Sequence, residues 1–166
     1  MNSLTQQSRQ DKLSYLELLS ERERRVRDAP LKYARQHDKQ KEATASDKAI
    51  RVLFWANRVG KTEWGAQETT RYAEADHPFR DVQPGVEIWC ACPSFDAQEE
   101  TTQKKLLTYI PEKDIEHKEY LRGRIIKKMR LKNGTIISFK SYEQGREKFQ
   151  GTGKRLIWFD EEPPKD

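Results

Sequence analysis

The stretch Trp55-Ala56-Asn57-Arg58-Val59-Gly60-Lys61-Thr62 decides the fold, because it reads as a phosphate-binding loop set between an apolar strand and a helix. In the pattern GxxxxGK[ST], successive backbone N–H groups curl around phosphates, the Lys reaches the β/γ oxygens, and the Ser/Thr hydroxyl ligates Mg²⁺. Gly60, Lys61 and Thr62 fit, with Asn57, Arg58 and Val59 filling the loop. The opening glycine is replaced by Trp55, and Ala56 follows it. A glycine there serves the tight turn off the strand, so Trp55 is expected to turn outward or to alter the loop. Gly-Lys-Thr also arises by chance in a Lys-rich chain, and context separates the two readings. Ile50, Val52, Leu53 and Phe54 predict a buried parallel strand over 50–54. No proline follows Thr62 until Pro78, which leaves 61–75 free to form a helix with phosphates at its N-terminus.

Ninety-nine residues after Lys61, the apolar run Leu156-Ile157-Trp158-Phe159 ends in Asp160-Glu161-Glu162. A strand of this composition is pinned in a sheet and delivers the carboxylate at its C-terminal end rigidly to the crevice where α/β ligands bind. Asp160 is expected to hold Mg²⁺, directly or through water. Glu161 then stands where a general base polarises the attacking water, and Glu162 is solvated or behind it. A charged loop after a strand would give the same letters; the order and spacing relative to residues 55–62 favour a Walker A (55–62) and Walker B (156–161) pair.

Residues 54–64, the later Phe139-Lys140-Ser141-Tyr142-Glu143-Gln144-Gly145, the Phe149-Gln150-Gly151 stretch and Trp158-Phe159-Asp160-Glu161-Glu162-Pro163 together resemble the ATPase domain of a tailed-phage terminase large subunit. The similarity covers roughly residues 30–166. It implies a P-loop NTPase of three layers, with ATP and Mg as cofactors. It also implies double-stranded DNA, portal and small terminase subunit as partners, homo-oligomeric assembly in the motor, and the bacterial host cytoplasm as location. In that family two glycines normally precede Asn-Arg, so Trp55 and Ala56 depart from it. The resemblance further implies that Arg58 acts against the γ-phosphate. It implies that Gln40 contacts adenine, where an amide can donate and accept at once. A solvated charge and an exposed amide are the bland alternatives for these two. Such a large subunit joins an ATPase to a nuclease, whereas this chain stops at Asp166. The expectation is a partial motor: helices over 1–46, then a P-loop domain over 47–166 whose parallel sheet is incomplete at its C-terminal end, with turnover by this piece uncertain.

Composition sets further bounds. The 166 residues are 36% charged and 34% hydrophobic, low for a well-cored domain. No apolar run is long enough to span a membrane, and residues 1–10 are too polar for a signal peptide. Cys90 and Cys92 fall on one face of an apolar strand within Val86 to Cys92, too close in sequence for a normal disulfide; buried free thiols are expected. The net charge of +5 is uneven. Residues 120–155 hold eleven Lys/Arg against Glu143 and Glu147, a net +9 that leaves −4 elsewhere. Phosphate backbones suit such a patch, although 124–131, Asn133-Gly134 and 135–140 also read as an ordinary antiparallel hairpin with a solvated basic face.

Toward the N-terminus, Leu13, Leu16, Leu19 and Val26 predict an amphipathic helix over 9–28, capped by Ser3 or Ser8 and closed by Pro30, with a second helix over 31–43. A further helix is expected over 95–109. Two other readings stand beside the packaging motor: a helicase or other P-loop ATPase, and a truncated prophage remnant that binds nucleotide or DNA without turnover.

Overall fold

Strands form here where β-branched and aromatic residues run together, and five of them join one sheet. The computed structural model describes residues 2–151 and 153–163, with side chains from residue 10 onward. The strands are β1 (Glu87–Cys92), β2 (Ile115–Arg122), β3 (Ile125–Leu131), β4 (Ile136–Ser141) and β5 (Leu156–Phe159), in the spatial order β2-β3-β4-β1-β5. β1 lies parallel to both β4 and β5, whereas β2, β3 and β4 pair antiparallel. The protein is therefore mixed α/β. Because β4, β1 and β5 are parallel, Ser141, Cys92 and Phe159 end at the same side of the sheet, where α/β ligands bind.

The period-two alternation of the strands sorts their side chains. Ile88 and Cys90 stand in register with Ile137 and Phe139, and this face meets Leu106, Ile110 and Tyr72 from the helices. Fully burying Ile88, Ile137 and Phe139 contributes about 1.5–3 kcal/mol each. The helices are α1 (Asn2–Asp28), α2 (Asp38–Ala45), α3 (Lys61–Glu74), α4 (Phe95–Gln98) and α5 (Lys104–Tyr109). Residues 64–73 of α3 are all buried, so this helix is enclosed rather than laid on a surface. Trp89, Ser138 and Lys140 belong to the opposite face of the sheet, with Ile157 and Phe159 beside them on β5. There the Phe149 ring meets Trp89 edge-on at 6.0 Å, and the Lys140 and Lys154 ammoniums lie 5.0 and 5.1 Å from the Trp89 ring.

Several expectations change. Residues 50–54 form no strand: Ile50, Val52 and Phe54 are 82%, 65% and 94% exposed. Side chains hold this segment instead, through Arg51 to the Ala43 carbonyl and Glu68, and Arg80 to the Ser46 and Lys48 carbonyls. The hairpin is not an insert beside the sheet, since β4 pairs directly with central β1, and its partner β3 gains a third antiparallel strand in β2. Pro30–Tyr33 forms a single 3-10 turn, residues 34–37 are extended, and the helix begins only at Asp38. The helix expected over 95–109 is present with those bounds, and its middle turn, Glu99–Gln103, is π-helical. α1 begins seven residues earlier than its apolar spacing suggests and leaves Leu13, Leu16 and Leu18 more than half exposed. Capping by Ser3 or Ser8 concerns side chains outside the described residues. Cys90 and Cys92 are buried and free; burial pushes both thiols up, Cys92 to about 11.

Candidate functional site

α3 opens at Gly60, whose φ of 84° is left-handed and needs glycine. That conformation swings the incoming chain away and leaves the first-turn N–H groups at the positive end of a fourteen-residue helix. Lys61 folds back over the loop, its Nζ donating to the Trp55 and Ala56 carbonyls at 2.9 and 3.0 Å. Thr62 points across to β5. Its Oγ1 lies 3.1 Å from Asp160 Oδ1 and 3.3 Å from Oδ2, joining residues 98 apart in the chain. Asp160 itself continues the ladder, its N–H donating to the Ala91 carbonyl at 2.9 Å.

Two elements upstream brace the loop. The Gln40 Nε2 donates to the Gly60 carbonyl at 3.0 Å, while its Oε1 accepts from the His37 N–H at 3.1 Å. Both ends of the amide thus hold backbone, leaving one N–H and one lone pair for any other contact. His37 lies 3.0 Å from the Val59 carbonyl through Nε2, and its ring is 5.4 Å from that of Trp55. Trp55 is half-buried against this histidine instead of crowding the start of α3. Asn57, Arg58 and Val59 are exposed.

Backbone conformation singles out two further residues. Among the described residues, only Arg58, Ala75 and Glu161 are non-glycines with positive φ, at 61°, 57° and 75°. Ala75 ends α3, where a left-handed residue is ordinary. Arg58 and Glu161 have no helix end to account for them, and such strain, of order 1–3 kcal/mol each, clusters at functional sites. The Glu161 carbonyl accepts from the Tyr142 hydroxyl at 3.0 Å, which fixes the turn after Asp160.

Burial pushes the Asp160 carboxyl up, and hydrogen bonds from Thr102 and Thr62 work against that rise. Thr102 Oγ1 stands 3.0 Å from Asp160 Oδ2 and 2.9 Å from Cys92 Sγ. Sequence reading missed Thr102 and His37. A threonine between Thr101 and Gln103 in a helical stretch carries no signal of its own, and His37 stands out only as the residue three before Gln40.

Lys61, Thr62 and Asp160 are thus gathered at one end of the parallel strands, with Gln40 and His37 behind the loop. The model of a protein family described as terminase large subunit, T4likevirus-type, N-terminal, matches residues 52–166. The chain belongs to that terminase family. A search among curated proteins gives no match. Family membership supports a role in phage DNA packaging. The terminase match spans the loop, α3, the whole sheet and Asp160, while α1, α2, His37 and Gln40 lie before it. No helix among the described residues is long and apolar enough to cross a membrane.

The donor set at this terminase site fits Mg²⁺. One hydroxyl and one carboxylate in contact are hard oxygens, and Mg²⁺ is commonly held by one or two carboxylates together with substrate phosphates. Among the described residues no group of three or more His, Cys, Asp or Glu offers a self-sufficient metal cage.

Proposed function

We propose that this terminase chain binds Mg·ATP on a P-loop formed by residues 55–62 and supplies the hydrolytic centre of a DNA-packaging motor. One observation carries the reading: the Thr62 hydroxyl and the Asp160 carboxylate, 98 residues apart, meet at 3.1 Å beside the N-terminus of α3. Thr62 and Asp160 would hold the metal, which when bound neutralises charge on the phosphates. Lys61 exchanges its two loop carbonyls for phosphate oxygens. Arg58, exposed and without a helix end to explain its left-handed backbone, extends its guanidinium toward the γ-phosphate. Glu161 orients and deprotonates the attacking water. Gln40 acts first by holding the Gly60 carbonyl, with its remaining N–H and lone pair left for the nucleotide.

Double-stranded DNA is the partner we assign to the basic face. Lys140, placed over Trp89 among Lys154, Lys148 and Lys127, is held down by burial and by those lysines, a concentration of positive charge that phosphates relieve.

A second reading, nucleotide binding without turnover, draws on residues 50–56, which lie outside the sheet that would otherwise stiffen the loop. Fluorescent ADP titration and phosphate release, each with and without Mg²⁺, separate the two. Mg²⁺-dependent binding that Lys61→Ala abolishes is expected under both, and phosphate release only under the first. Binding unchanged in Lys61→Ala refutes the site.

A further inference from the structure

The π turn Glu99–Gln103 has a geometric effect on the three polar side chains around it. In an uninterrupted α-helix, residues five apart do not share a face. The widened turn brings Gln98 and Gln103 onto the sheet side together, and all three of Gln98, Thr102 and Gln103 are buried. Gln98 Nε2 donates to the Cys90 carbonyl at 2.8 Å and the Lys140 carbonyl at 3.2 Å, bridging β1 and β4. Gln103 grips β3, donating to the Ile126 carbonyl at 2.8 Å and accepting from the Ile126 N–H at 2.9 Å. Thr102 is therefore fixed to the sheet from both sides.

The hydroxyl of Thr102 has one proton and donates it to Asp160 Oδ2 at 3.0 Å. The Cys92 thiol, 2.9 Å away, is then the donor to Thr102 Oγ1. A directed chain results, from Cys92 S–H to Thr102 O–H to Asp160. Thr62 reaches the same carboxylate from α3. π turns recur at functional sites, and this one presents a single hydroxyl to the one carboxylate that touches Thr62.

We propose that Thr102 is the positioning residue for Asp160, holding Oδ2 so that the carboxylate and the Thr62 hydroxyl face the divalent cation together. This rests on the nucleotide-site reading above. Thr102→Val keeps the shape and removes the proton, whereas Thr102→Ser keeps the hydroxyl. Fluorescent ADP binding to the full 166-residue chain is titrated against Mg²⁺ and repeated in EDTA. Thr102→Val should leave the EDTA affinity unchanged and raise the Mg²⁺ concentration for half-maximal enhancement roughly tenfold or more, the usual effect of losing a group that orients a metal ligand. Thr102→Ser should restore the wild-type requirement. A merely structural role would lower both affinities alike, and that result overturns the proposal. So does a valine variant with the wild-type Mg²⁺ requirement, or a serine variant as impaired as valine. If Thr102→Val does not fold, Thr102→Cys, a far weaker donor, takes its place, and a wild-type Mg²⁺ requirement there is equally fatal. Wild-type protein lacking any Mg²⁺-enhanced binding refutes the nucleotide-site reading itself, an outcome distinct from failure of Thr102 alone.

Discussion

Replacing Gly65 by alanine tests how closely α3 and β5 approach, on which the meeting of Thr62 with Asp160 depends. A Cβ built at Gly65 lies 2.3 Å from Trp158 Cε2 and 2.5 Å from both Cζ2 and Nε1. Carbon atoms rest at about 3.5–4.0 Å, so the indole or the helix must yield by about 1 Å. Moved on α3, that displacement carries the 3.1 Å contact between Thr62 and Asp160 beyond hydrogen-bond range. Two effects oppose each other. Alanine gains about 0.8–1.0 kcal/mol over glycine in a helix interior, while overpacking costs typically about 1–3 kcal/mol. With the clash reaching three ring atoms the upper part of that range applies, leaving a net loss of about 1–2 kcal/mol. At about 2–4 °C per kcal/mol for a chain of this size, Gly65→Ala should melt roughly 2–8 °C below wild type. In a thermal-melt cycle with Trp158→Leu, the alanine penalty should disappear, because the atoms it strikes are gone. A Gly65→Ala protein that melts above wild type, as helix propensity alone requires, refutes the close approach. An alanine penalty unchanged in the leucine background does the same.

Arg51→Met should destabilise by about 2–4 kcal/mol in urea unfolding, since it strips the nearest cation from buried Glu68 and leaves only His77 and a more distant Arg71; a loss under 0.5 kcal/mol would show that the pair does not anchor residues 46–51. Burial, with Asp114 and Asp76 nearby, pushes Glu74 up to about 7 from 4.5. A raised acid costs the fold nothing below pH 4.5, increasingly between pH 4.5 and 7, and fully above. Glu74→Gln should therefore melt about 2–4 °C higher at pH 8, after discounting for solvent screening, and no higher at pH 4.5. The opposite ordering would disprove it. Under the proposed DNA contact, duplex affinity should fall steeply from ~50 to ~200 mM salt with little sequence preference, and Lys140→Glu should weaken it; salt-insensitive binding argues against that face.

What could be read from the letters was local and chemical. Gly60, Lys61 and Thr62 announced a helix start, and Leu156-Ile157-Trp158-Phe159 announced a strand that delivers Asp160; the structure brings these two ends together. Ile50 to Phe54 misled, because an apolar run reads as a buried strand while Arg51 and Arg80, which hold the segment by side-chain bonds, leave no periodic trace. β2 was missed for the reverse reason. Half of Ile-Glu-His-Lys-Glu-Tyr-Leu-Arg is charged, and its place in the sheet comes from pairing with β3 rather than from its own burial. Gln40 and Thr102 owe their positions to contacts 20 and 58 residues away in sequence, which no local pattern encodes.

Among the described residues β5 joins the sheet through β1 alone, and it does so late in the chain. The residues that fill the core, from Tyr72 to Phe139, precede it, so the central strands and α3 can consolidate before residues 156–160 dock. Local opening is then expected to be uneven: β1 and β4 should open only with the whole, and β5 at lower free energy. Amide exchange should record this as fast β5 protons beside slow β1 protons. Asp160 would come and go with that strand, making assembly of the carboxylate against Thr62 a closing equilibrium on a scaffold that is already folded.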